Sequence, residues 1–192
     1  MMKNAESYFD ELKGMFNSIA VTDKDNKTCL FSEAIDKFTR LIGDRTGAGG
    51  KLLFIGNGGS ASIASHITVD FWKNAGIRAL AFNDSSLLTC ISNDYGYRHV
   101  FEKPIDMFAE GADILVAISS SGRSENILRA VSAARGKGMK VVTFSGFDKN
   151  NPLRNLGDMN FYVPSASYGH VEITHLSVCH CVVDAIIAGK NG

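Results

Sequence analysis

Two loops in this sequence hold more glycine and serine than a turn requires. Gly56-Asn57-Gly58-Gly59-Ser60 follows the apolar run KLLFI and leads directly into a helical stretch, SASIASH. Glycines there permit a tight turn and let backbone N–H groups face an anion at the helix start. The loop lacks the GKS or GKT of a nucleotide-binding P-loop and does not match GxGxxG, and a plain strand-to-helix turn is the competing reading. The second loop, Ser119-Ser120-Ser121-Gly122-Arg123-Ser124, crowds four serines at the start of the helical stretch ENILRAVSAARGKG. One serine suffices as an N-cap. The surplus hydroxyls, beside the unpaired N–H groups of a helix start, suit several oxygens of a phosphate.

A third group lies on the helix that follows the glycine loop. His66 and Asp70 are four residues apart and share a helix face, where such a pair can chelate a metal or share a proton. The closing stretch carries His170, Glu172, His175 and His180 among apolar residues. Glu172 and His180 are eight residues apart, about 12 Å of helix axis, so one ion meets both only through extended side chains or with help from another subunit. Cys179 and Cys181 read as packing groups rather than metal ligands. Asn93 and Asp94, after a further helical stretch, can hydrogen-bond sugar hydroxyls, although the dipeptide is also an ordinary turn signal.

These residues must be held by something. Apolar spacing at Tyr8, Leu12, Met15, Phe16 and Ile19, and again at Phe31, Ile35, Phe38, Leu41 and Ile42, predicts two amphipathic helices, with the polar segment VTDKDNKT as a loop between them. From Lys51 onward the pattern becomes KLLFIG, IRALAF, ADILVAIS, MKVVTFSG and MNFYVP, each ended by a turn signal, and the last leads into the long helix VEITHLSVCHCVVDAIIAG. Continuously apolar short strands alternating with helices belong in a parallel sheet covered on both faces. Such sheets bind ligands at the carboxyl ends of their strands, where both loops lie.

With 192 residues, 45% of them hydrophobic, the chain can close one sizeable core, and residues 1–192 read as a single α/β domain, a helical pair over 1–47 preceding a core over 48–192. Lys+Arg and Asp+Glu are each 20, so no global field draws the chain to nucleic acid or a membrane. Cys29, Cys90, Cys179 and Cys181 follow no CxxC spacing, and MMKNAESYFDELK lacks the apolar core of a signal peptide, which together predict reduced thiols in a cytoplasmic protein. No apolar run is expected to reach the roughly 20 residues that cross a bilayer.

Taken together, GNGGS, a His four before a carboxylate, SNDYGY, ISSSGRS, GMKVVTFSG and His180 on the closing helix resemble the sugar isomerase (SIS) domain family, and within it the bacterial sedoheptulose 7-phosphate isomerases. The resemblance runs through nearly the whole chain, although ISSSGRS alone marks only the wider family. It implies a three-layer domain around a five-stranded flavodoxin-like sheet, a homotetramer with active sites at subunit interfaces, and a zinc-assisted conversion of D-sedoheptulose 7-phosphate to D-glycero-D-manno-heptose 7-phosphate for lipopolysaccharide or capsule heptose. By position it assigns Asn57, Gly58, Gly59, Ser60, Ser119, Ser120, Ser121 and Ser124 to substrate and phosphate contacts, Asn93 and Asp94 to sugar contacts, and His66 and His180 to the metal. Asp70 stands where the family usually has its catalytic glutamate, and Glu172 where it usually has glutamine; both are further candidates for metal and substrate contact. FWKNAGIRAL is several residues shorter than the family's basic loop there.

A ketose becomes an aldose when a proton moves between neighbouring carbons through an enediol. Asp70 or Glu172 is the candidate base and His180 the group that serves the oxygen, with a divalent ion polarising the carbonyl. The alternatives are an isomerase of another phosphosugar and a non-catalytic SIS-fold protein that binds a phosphosugar or acts as an adaptor. Adaptors need the phosphate loops at most, whereas here His66, Asp70, Glu172 and His180 are all chemically competent. Because the crossover helices already flank a five-stranded sheet, the first two helices and the last have faces left for partners, which predicts a homo-oligomer.

Overall fold

The computed structural model describes residues 4–191; Met1 to Lys3 and Gly192, the outermost residues of the expected domain, lie outside it. The runs that are apolar at every position form the parallel centre of the sheet. β3 (Leu52–Gly56), β5 (Ile114–Ser119) and β6 (Lys140–Ser145) are buried almost throughout, with β4 (Ala79–Ala81) on one side and β7 (Met159–Tyr162) on the other. These five are all parallel, in the order β7-β6-β5-β3-β4. The order reverses between β3 and β5, which is the switch point of a flavodoxin-like sheet.

The sheet is larger than the sequence suggests. β1 (Ala20–Asp23) pairs antiparallel with β7, and β2 (Thr28–Cys29) pairs with β1, making seven strands. The segment VTDKDNKT, expected as a loop, is thus a hairpin. Val21, 1% exposed, sits opposite Phe161, while Asp23 Oδ1 accepts the backbone N–H groups of Asp25 and Lys27, both at 2.9 Å. That carboxylate closes the turn, with Asn26 at φ 59. Pairing satisfies backbone groups that the edge of β7 would otherwise expose, which outweighs the weak strand propensity of the polar residues.

Among the described residues, seven α-helices pack about the two faces. Alternation along β3 sends Leu52 and Phe54 to one face and Leu53 and Ile55 to the other. Phe38 and Ile42 of α2 (Phe31–Gly47), Ile67 and Phe71 of α3 (Gly59–Lys73), and Val178 and Val182 of α7 (Tyr168–Asn191) fill the first face. Phe101 and Ile105, at the start of and within α5 (Glu102–Phe108), fill the second with Ile127 and Val131 of α6 (Glu125–Gly136). α4 (Ser85–Tyr95) adds Leu87, Leu88 and Ile91. Of the crossover helices only α3 lies on the first face. α2 and α7 complete it, so each buries an apolar side within the chain, while Ile173 of α7 stays exposed. α1 (Ala5–Ser18), started by a capping box between Asn4 and Ser7, packs on α7 and leaves Phe9 and Phe16 exposed.

α7 is also longer and more apolar than expected. An 18-residue window within Tyr168–Lys190 averages a hydropathy of 1.5, so the helix passes, by length and composition, as a bilayer-crossing segment. Its apolar residues have a use inside the fold, because Val171, Val178, Cys179, Val182 and Val183 are buried against the sheet and neighbouring helices. All four cysteines are free thiols. Burial pushes the Cys179 thiol up to about 12, so it behaves as a small apolar group.

Candidate active site

At the switch point β3 leads to α3 on one face and β5 leads to α6 on the other, and the gap between them is a cavity of about 290 Å³. Its walls are the two loops singled out by composition. Asn57, Gly58, Gly59 and Ser60 form one side and Ser119, Ser120, Ser121 and Ser124 the other, so all eight residues expected at the substrate phosphate are brought together. Neither helix has a side-chain cap: α3 begins after Gly58, which sits at φ 55, and α6 begins after Ser124. Two sets of helix-start N–H groups therefore border one cavity, an arrangement that favours an anion.

The serine hydroxyls are only partly used. Ser119 Oγ lies 3.4 Å from Ser124 Oγ, Ser121 Oγ accepts the Arg123 N–H at 3.3 Å, and the buried Ser120 Oγ has no protein partner. A buried hydroxyl without a partner costs free energy unless a ligand or water completes it. Gly122 closes the loop at φ 61, where a Cβ would lie 1.9 Å from Asn151 Oδ1, so glycine is required there on both counts. Arg123 pairs with Asp148 at 2.7 Å. The backbone N–H of Asn150, with Arg123, holds the Asp148 carboxyl below the usual carboxylate range.

The third wall is the start of α7. Glu172 lies against the first turn of α3, close enough that a Cβ on Gly59 would be 2.3 Å from its Oε2. Tyr168 lines the same cavity and was not foreseen. Its ring meets Phe147 edge-on at 4.8 Å, and Phe147 occupies the left-handed region at φ 56. Its N–H donates to Ser165 O at 2.9 Å, and its carbonyl accepts the Tyr162 hydroxyl at 2.9 Å. A bulky residue in that conformation is held only by surroundings that fix it from several sides.

Farther along the same two helices, His66 and Asp70 of α3 meet His180 of α7. Asp70 Oδ2 is 3.4 Å from His66 Nε2 and 3.5 Å from His180 Nδ1, and one donor atom from each of the three lies within 4.8 Å of the others. The two imidazole rings are 5.3 Å apart, and Asn74 donates to the other Asp70 oxygen at 3.1 Å. Asp70 and His180 thus come from one chain. Glu172 does not join them, since it faces the start of α3 while His180 faces its later turns. Asn93 and Asp94 are not brought in either: they sit exposed on the last turn of α4, Asn93 donating to Asp94 at 2.9 Å, and line none of the cavities described. They belong to the helix rather than following it.

His175, one turn from Glu172, is fully buried and its Nε2–H donates to the Ser145 carbonyl at 3.0 Å, tying α7 to the end of β6. Burial pushes its imidazole down to about 4, so it is neutral at physiological pH.

Residues 7–146 match the family model described as the SIS domain. The chain is 39% identical over 160 residues to a phosphoheptose isomerase of Proteus mirabilis, covering 80% of this chain and 83% of that one. It is 40% identical over 160 residues to one of Photorhabdus laumondii, covering 80% and 82%. A solved phosphoheptose isomerase from Francisella tularensis superposes with a TM-score of 0.83 at 30% identity, covering 97% of this chain and 98% of that one.

Proposed function

This chain belongs to the SIS domain family and, within it, to the phosphoheptose isomerases, and we propose that it interconverts D-sedoheptulose 7-phosphate and D-glycero-D-manno-heptose 7-phosphate. The observation that carries this reading is the cavity bordered by two uncapped helix starts and five serines. Backbone N–H groups of α3 and α6 bind the phosphate, and the serine hydroxyls complete its remaining oxygens.

Anchoring the phosphate at one end orients the carbon chain along α3 and α7. Seven carbons joined by bonds of about 1.5 Å, with the phosphate beyond them, span roughly 10 Å. That is comparable to the roughly 12 Å of axis between Glu172 and His180. Conversion of the ketose removes one proton from C1 and delivers one to C2, while a proton leaves the C1 hydroxyl and another joins the C2 oxygen. Asp70 or Glu172 takes the carbon-bound proton, and His180 moves the proton on oxygen. Asp70 also orients both His66 and His180, as their distances to its Oδ2 imply.

Two imidazole nitrogens and a carboxylate oxygen, brought together within one chain, are a donor set whose chemistry would suit zinc. We assign His66, Asp70 and His180 as the residues that would hold it. A bound divalent ion supplies Lewis-acid polarisation of the substrate carbonyl.

We further propose that the protein is cytoplasmic, in keeping with its free thiols, and that it assembles as a tetramer supplying heptose for lipopolysaccharide or capsule. Phe9, Trp72 and Ile173, exposed on α1, α3 and α7, support assembly through these helices. The test of the activity is to offer the zinc-supplemented protein pentose, hexose and heptose ketose phosphates. Turnover of the heptulose phosphate with the highest kcat/KM is expected; turnover of only a shorter sugar, or of none, would overturn the proposal.

A further inference from the structure

Behind Asn57 lies a hydrogen-bond network that leaves its amide only one orientation. The backbone N–H of Ile127 can only donate, and it donates to Asn126 Oδ1 at 3.0 Å. Asn126 Oδ1 therefore also takes its second bond from an N–H, which is Asn57 Nδ2 at 3.0 Å. Asn126 Nδ2 in turn donates to Asn57 Oδ1 at 2.9 Å, and the Tyr97 hydroxyl donates to that same oxygen at 2.9 Å. Both acceptor positions of the Asn57 oxygen are thus filled, and one N–H remains free.

Asn126, on the first turn of α6, is 3% exposed, so this reciprocal amide pair is shielded from water on one side. Tyr97 reaches it from a short 3-10 turn, Tyr97–His99, that follows α4. That turn is itself fastened to α6. Glu102 accepts from His99 Nδ1 and from Arg129 Nε, the latter at 3.0 Å, and Arg129 also pairs with Glu125 at 3.7 Å. Burial raises the Glu102 carboxyl, but the hydrogen bonds from Arg129 and His99 outweigh it and hold the group below its ordinary range.

We infer that Tyr97 and Asn126 are positioning residues that lock the Asn57 amide, so that Asn57 meets the ligand only as an N–H donor. The inference rests on the reading that the cavity lined by Asn57 receives a sugar phosphate. A donor suits that ligand, because phosphate and hydroxyl oxygens accept, whereas a freely rotating amide would present its oxygen to an anion part of the time. Neither residue acts on the reacting atoms.

The informative variant is Tyr97→Phe, because the residue is 56% exposed and loses only a hydroxyl. Its melting temperature is expected to match that of the wild type, with KM for the sugar phosphate raised about fivefold and kcat little changed, the signature of lost uniform binding. In an Asn57→Ala background the same substitution should have no further effect on KM, because its route to the ligand is gone. A fivefold rise in both backgrounds, or in neither, would overturn the inference. A readout independent of turnover is the side-chain amide NMR signals of Asn57 and Asn126 in ligand-free protein. Tyr97→Phe should shift or broaden both. Unchanged signals would refute the lock, whereas changed signals in a protein that turns over no sugar phosphate would refute the isomerase reading and leave the lock standing.

Discussion

Acidification should loosen α7 through a single buried imidazole. No carboxylate bonds to the His175 ring; its one hydrogen bond runs to the Ser145 carbonyl, and its Nδ1 is buried without a partner. In the unfolded chain it titrates near 6.5, and in the fold only near 4. Between those values the unfolded state binds more protons, so stability is full above about pH 6.5 and falls as pH falls toward 4. At about 1.4 kcal/mol per unit the complete difference is roughly 3 kcal/mol, of which about 2 kcal/mol is lost by pH 5. The assay is urea unfolding at pH 7.5 and pH 5 for the wild type and for His175→Gln, which keeps an N–H donor and does not titrate. The wild type should lose about 2 kcal/mol more than the variant over this interval. Equal losses would refute the buried, neutral state assigned to His175, and with it the pH-dependent fastening of the helix that carries Glu172 and His180.

Three further outcomes follow from the site. Replacing Ser121 and Ser124 together by Ala should weaken phosphate binding in calorimetry by roughly 1–3 kcal/mol per lost charged hydrogen bond, and unchanged affinity would remove the serine loop from the site. Glu172→Gln should tighten inorganic phosphate by about tenfold, since it removes a negative charge from the cavity wall, and weaker binding would show that Glu172 does not face the anion. Gly122→Ala should lower stability in thermal unfolding by about 1–3 kcal/mol, because the substitution meets both a left-handed backbone at φ 61 and the Asn151 side chain.

The parallel centre was legible because apolar runs such as LLFI and ILVAI are buried on both faces and look so in the sequence. The cavity between the two loops was legible because glycine and serine in excess of a turn's needs have few uses. The hairpin of β1 and β2 was hidden by its polarity: Val21 is the one apolar residue of VTDKDNKT, and pairing with β7 is a long-range event that local pattern does not carry. The meeting of His180 with Asp70 depends on how α3 and α7 lie side by side, which spacing within either helix cannot reveal. Helix length sets Glu172 and His180 about 12 Å apart along the axis, but it left Glu172 among the candidate metal ligands, through extended side chains or another subunit, whereas the three donors brought together are His66, Asp70 and His180. Tyr168 and Asn126 had no signal of their own. Tyr168 gains its place from the position of Phe147, and Asn126 from a contact with Asn57 across 69 residues of chain.

The proposed proton transfer between neighbouring carbons of a heptose phosphate is read most directly by proton NMR of sedoheptulose 7-phosphate incubated with zinc-supplemented protein. Ketose signals are expected to decline as the anomeric proton of the aldose appears, and Asp70→Asn and His180→Ala to slow this by about 100-fold or more, on the order of the loss of a general acid or base. Ketose signals that stay unchanged with the folded, zinc-supplemented wild type, or a rate unaffected by both substitutions, would contradict it.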